Sequence, residues 1–127
     1  MELNQITLPT TQMEASAAFY QLLGCILIVD SIPRYSRFKA PVGNTTFSLH
    51  RSETPPQQPG MVLYFECENL EEQVELLESK GIVFNEPITD KDWGWTEATT
   101  QDPDGHQIIL YRAGEYRLNP PWKVTAP

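Results

Sequence analysis

The chain has few of the features that would assign it to a specialised class. It has only two cysteines in 127 residues, Cys25 and Cys67, at no metal-ligand spacing and each in an apolar stretch, so both read as buried, reduced thiols. No apolar run approaches the roughly 18 residues of a membrane span, which argues against a membrane partner. Basic residues are scarce, nine against 17 acidic ones, and the net charge of −8 argues against nucleic acid, whose phosphates need a basic surface. The opening Met1–Gln5 has neither the basic nor the apolar region of a signal peptide, and a cytoplasmic location is the expectation. No Ser/His/Asp or Cys/His set, phosphate-cradling glycine loop or carboxylate pair emerges.

The charge is unevenly spread. Residues 1–59 carry four acids and four bases, while residues 60–127 carry thirteen acids and five bases. The second half would therefore attract a cationic ligand, although a solvated acidic face has the same composition. Glu68, Glu71, Glu72, Glu75 and Glu78 read as the solvent face of a helix.

The order of signals repeats on either side of the proline-rich linker Thr54–Gly60. In the first segment, residues 4–8 alternate as a half-buried strand, and Met13 to Leu23 form a helix stopped by Gly24, with Thr10 or Thr11 as its cap. Strands follow at 25–29, 34–38 and 45–49. In the second, residues 61–65 form a strand, and Asn69 caps a helix over 70–79 that stops at Gly81. Strands follow at 82–84, around 93–99, and at 107–111 after the turn Asp102-Pro103-Asp104-Gly105. Aligning Gly24 with Gly81 lays Gln5 on Val62.

The fold class expected is α+β: two βαβββ modules, at residues 3–53 and 60–112, forming a curved mixed sheet around a cavity with the helices outside, in a single domain with a tail at 113–127. Alternation places Gln5 and Thr7, and Val62, Tyr64 and Glu66, on the cavity face, with Tyr111 there too. Met61, Leu63, Phe65 and Cys67 fall under the helix. His50 reads as a solvated or capping side chain and His106, after a turn glycine, as exposed. Arg34 and Arg37 suit either an anionic substrate or an outer face.

This double module resembles the vicinal-oxygen-chelate superfamily, which includes glyoxalase I, extradiol dioxygenases and the bleomycin-resistance proteins. The resemblance covers about residues 3–112 and rests on Phe19-Tyr20-Gln21-Leu22-Leu23-Gly24 and on Asp102-Pro103-Asp104-Gly105 leading into a strand. It implies four metal-ligand places, which fall on Gln5, on Val62, on Ile109, and on Ser48 in preference to Phe47, so that no metal is expected. A metal-dependent glyoxalase-like lyase or dioxygenase using Gln5 and His50 is the alternative. The segment Trp93-Gly94-Trp95-Thr96-Glu97 is similar to a Trp-Gly-x-x-Glu segment of the metal-free bleomycin-resistance branch, and Pro9 ends the first strand where a chain could cross between modules. That branch implies a homodimer without cofactor that sequesters an aromatic or cationic small molecule. Its ligand-binding candidates here are Phe47, Tyr64, Glu66, Trp93, Trp95, Ile109 and Tyr111. Trp122, in the tail, is expected to pack on the domain or on a second subunit.

Overall fold

The computed structural model describes residues 1–125. Its fold is α+β, with two four-stranded mixed sheets built from two βαβββ modules. The chain separates into two compact units. The first is Met1–Val62 with Gln101–Gln107; the second is Leu63–Thr100 with the chain from Ile108 onward. The turn at 102–105 thus belongs to the first unit, although its strands are those of the second module.

The first module runs β1 (Gln5–Thr10), α1 (Met13–Leu22), β2 (Ile26–Ser31), β3 (Tyr35–Lys39) and β4 (Thr46–Arg51), with sheet order β1-β4-β3-β2. β1 pairs with β4 in parallel and the other pairings are antiparallel. One face of the sheet is apolar because Leu8, Phe38, Phe47 and Leu49 fall on alternate positions, and they pack with Met13, Ala17 and Tyr20 of α1. Phe38 and Phe47 stack at 5.4 Å, with the Tyr20 ring 4.9 Å from Phe47. Neither Thr10 nor Thr11 is the cap of α1. Gln12 holds that position without a side-chain bond, and both threonine hydroxyls bond Asp104 instead.

The second module repeats the order: β5 (Val62–Glu66), α2 (Leu70–Ser79), β6 (Glu86–Asp90), β7 (Thr96–Gln101) and β8 (Gln107–Arg112), with sheet order β5-β8-β7-β6. Leu63, Leu70, Val74, Leu77, Ala98, Ile108 and Leu110 are its buried apolar set. Asn69 stands at the start of α2 as expected, but its side chain makes no capping bond. The strand expected at 82–84 lies instead at Glu86–Asp90. Ile82 and Val83 complete the helix stop, and the Val83 carbonyl accepts from the Thr100 hydroxyl at 2.7 Å. A register shift in β6 spans Pro87, which has no N–H to donate to a ladder.

Both helices end in the same device. Gly24 and Gly81 each sit at φ +97°, and each helix closes with a pair of bonds: Gly24 N–H to Gln21 and Cys25 N–H to Tyr20, then Gly81 N–H to Glu78 and Ile82 N–H to Leu77. This is the Schellman pattern, and its left-handed residue suits glycine because no Cβ opposes it. The tail continues through a 3₁₀ turn, Gly114–Arg117, and Trp122 packs edge-on against Tyr116.

Candidate functional site

In the second unit, alternation along β5 and β8 brings Tyr64 and Tyr111 to the face opposite the buried apolar set, where Trp95, just before β7, joins them. Trp95 and Tyr111 stack at 4.5 Å with planes 17° apart, and Tyr64 meets both edge-on, at 5.8 and 5.6 Å. Tyr111 is only 6% exposed whereas Tyr64 is 52% exposed, so the cluster has a fixed floor and an open rim. Burial, with the nearby Glu66 charge, pushes the Tyr111 hydroxyl above its ordinary pKa, so it remains a neutral donor at physiological pH. Ile109, half-buried, shares the strand face of Tyr111.

The two tryptophans are separated by the hairpin that carries them. Gly94, at φ +84°, donates to the Lys91 carbonyl, and Lys91 N–H donates to Trp95, closing a turn that sends the side chains into different settings. Trp95 joins the stack. Trp93 is half-exposed, and its indole N–H donates to the Glu97 carboxylate at 2.8 Å while the Lys91 ammonium lies 5.8 Å from its ring. Glu97 is only 4% exposed, so its carboxyl group is buried behind Trp93. Glu66 is exposed and lies 3.6 Å from Arg117.

In the first unit the corresponding face is polar. Gln5 donates to Ser48 Oγ at 2.9 Å and its carbonyl oxygen accepts from the Thr46 hydroxyl. Ser48 also bonds the Tyr35 hydroxyl at 2.5 Å, and Arg37 Nε donates to that hydroxyl at 2.9 Å. The bond to Ser48 does most to lower the Tyr35 pKa; burial opposes it, and the bond and charge of Arg37 add to the lowering. Ser48 takes the open-face place, and Phe47 is the correction: its ring is packed between Phe38 and Tyr20 in the core, which removes it from the candidate ligand wall.

Sequence reasoning missed a buried polar cluster. His106 is fully buried rather than exposed. Its Nδ1 accepts from Met61 N–H and its Nε2 donates to the Pro9 carbonyl, both at 2.9 Å. Asp102 accepts from the Tyr20 hydroxyl at 2.6 Å and from the backbone of Asp104 and His106, and Asp104 accepts from Thr10, Thr11 and Ser16. The turn motif was visible in the chain, but the side-chain donors to its two carboxylates come from residues over eighty positions away. Every ring nitrogen and carboxylate here is committed to the fold, so the cluster is a latch that holds the turn and not a reaction centre.

The family model described as "Glyoxalase/Bleomycin resistance protein/Dioxygenase superfamily" matches residues 2–110. The chain belongs to that superfamily. No curated protein matches. Among solved structures, the fold is similar to a glyoxalase/bleomycin resistance protein/dioxygenase from Nocardioides, with TM-score 0.80 and 20% identity over 98% of this chain and 90% of that one. It is also similar to a bleomycin-binding protein complexed with bleomycin (TM-score 0.72, 20% identity, 88% and 98% covered) and to a lactoylglutathione lyase from Agrobacterium tumefaciens (TM-score 0.71, 16%, 87% and 92%).

The superfamily's metal can be tested against the donors in its four places. Thr46 N–H bonds Asn4 as Gln107 N–H bonds Met61, which makes Ser48 and Ile109 equivalent positions, as Gln5 and Val62 are. The set is one amide, one hydroxyl and two hydrocarbon side chains, and the amide oxygen is already bonded to Thr46. Hard divalent cations take several oxygen ligands, commonly with carboxylates to offset lost hydration, and this set does not fit one. Gln5 and His50 do not converge either. Gln5 lies opposite Thr46 whereas His50 lies opposite Pro9, about 13 Å farther along the strands, with its Nδ1 bonded to the Arg51 carbonyl. Among the described residues no group of three or more His, Cys, Asp or Glu side chains gathers to hold an ion.

Proposed function

We propose that this member of the superfamily is a small-molecule-binding protein that sequesters a compound bearing a flat aromatic ring or a cationic group, acting in the cytoplasm as a homodimer and using no metal. The observation that carries the reading is the Tyr64–Trp95–Tyr111 cluster: a rigid stacked pair with a third ring half-open to solvent. Aromatic faces attract planar rings and cations, contributing about 0.5–2 kcal/mol per contact depending on desolvation. The acidic excess of the second half adds attraction for a cation, with Glu66 exposed near the rings and Glu97 screened by Trp93. The likeness to a bleomycin-binding protein supports a ligand of that type.

The competing reading, a metal-dependent lyase, draws on the likeness to a lactoylglutathione lyase and lacks a suitable donor set. Calorimetric titration with bleomycin, a cationic and planar-ringed probe, tests the proposal. Saturable binding is expected, weakened about 3- to 30-fold in Trp95→Ala by loss of one stacking face. An affinity unchanged by Trp95→Ala together with Trp93→Ala would remove the tryptophans from the site. Elemental analysis of protein purified without chelator discriminates the rival, because a stoichiometric divalent ion would overturn the metal-free reading.

A further inference from the structure

The first unit holds a concave surface of its own. It lies where β3 begins and β4 ends, a depression of about 700 Å³ lined by Ser31, Arg34, Tyr35, His50, Arg51 and Glu53. Its cationic character is set by backbone register. Tyr35 pairs with His50, and one step beyond, Arg51 N–H donates to the Arg34 carbonyl at 3.0 Å, so the two arginines stand opposite each other on neighbouring strands.

Like charges in such a pair repel, and a protein ordinarily relieves that with a carboxylate. Among the described residues the ion pairs are Lys91–Glu86, Arg112–Glu71 and Arg117–Glu66; Arg34, Arg37 and Arg51 take part in none. The acids that line this depression and the neighbouring one, Glu53 and Glu14, make no ion pair with them. Two exposed arginines thus line the depression without an ion pair in a chain whose net charge is −8. Arg37 is committed to the Tyr35 hydroxyl, which fixes the Tyr35 ring as a wall, with His50 edge-on to it at 6.3 Å. The His50 Nδ1–H donates to the Arg51 carbonyl, which leaves Nε2 free for a ligand.

We propose that this depression is an oxyanion-binding site that takes the phosphate or carboxylate group of a small organic molecule between Arg34 and Arg51, with the body of that molecule against Tyr35 and His50. Guanidinium forks match planar and tetrahedral oxyanions with paired hydrogen bonds, and the volume exceeds what an inorganic ion alone would fill.

The test is calorimetric titration of the full chain with phenyl phosphate, inorganic phosphate and benzoate at constant ionic strength in chloride. Saturable binding of phenyl phosphate or of benzoate supports the site, and the stronger of the two identifies the group it takes. Arg34→Gln with Arg51→Gln should weaken that binding by about tenfold or more, the usual loss for charge-assisted bonds, without moving the melting temperature because both side chains are exposed. Lys123→Gln, a charge loss in the tail, should leave binding unchanged. Titration of Trp95→Ala keeps the site separate from the proposed function: oxyanion binding should persist there even if bleomycin binding fails. No saturable binding of any probe, or equal binding by the double variant, overturns the proposal.

Discussion

Replacing Asp104 with alanine removes the acceptor for four hydrogen bonds: from the hydroxyls of Thr10, Thr11 and Ser16, and from Thr11 N–H. Thr10 and Ser16 are buried, so their hydroxyls would lose a charged acceptor with no water to replace it. Bonds to a charged group contribute about 1.5–3 kcal/mol each, but they share one carboxylate and are not additive, and the Thr10 and Ser16 hydroxyls still bond each other at 2.9 Å. A total loss of about 3 kcal/mol is expected. With about 2.1 cal/mol/K of unfolding entropy per residue, a chain of 127 residues loses about 4 °C of Tm per kcal/mol, or about 11 °C for this variant. Burial works to raise the Asp104 pKa, and the bonds from Thr10, Thr11 and Ser16 outweigh it, so the folded value lies below the ordinary one. The stabilisation is therefore fully present above the unfolded value of about 3.9 and is lost as pH falls through the lower folded value, so the gap between wild type and variant should narrow below about pH 4. Thermal unfolding followed by circular dichroism at a series of pH values measures both effects. A variant melting within about 3 °C of wild type at neutral pH would refute the account of the cluster as a latch.

Two further outcomes follow from local geometry. Gly94→Ala forces a Cβ at φ +84° and into the Tyr116 ring. It should cost about 1–3 kcal/mol or displace Tyr116, read as a lower Tm or as faster tryptic cleavage at Arg117. Burial pushes the Cys25 thiol up to about 12, so at about pH 8 Ellman's reagent should leave Cys25 unmodified in the native protein and label it once denatured.

The parts of the fold governed by short-range rules were legible in the chain. Helix ends at Gly24 and Gly81, the alternation of β1 and β5, and the duplication itself depend on backbone conformation and period-two patterning within a few residues. The same alternation separated Tyr64 and Tyr111 from the buried set and favoured Ser48 over Phe47 for the open face. It misplaced β6, because an apolar run after a helix stop serves equally to close the helix, and Pro87 is a poor strand residue that pairs here only across a register shift.

Face assignment was determined by the sequence alone; the environment of each face was decided by tertiary structure. Alternation cannot say that Trp95 stacks on Tyr111 while Trp93 turns to Glu97, since that depends on the hairpin at Gly94. Nor can it bury a turn of two aspartates and a histidine. Charged and polar side chains after a turn glycine read as solvated, and only donors brought in by the fold, from Thr10 at 94 positions' separation and from Tyr20 at 82, make their burial affordable. The physical reason is the same in each case. Strand periodicity is a property of neighbouring bonds, whereas the free energy of a polar group depends on partners that the chain supplies from elsewhere.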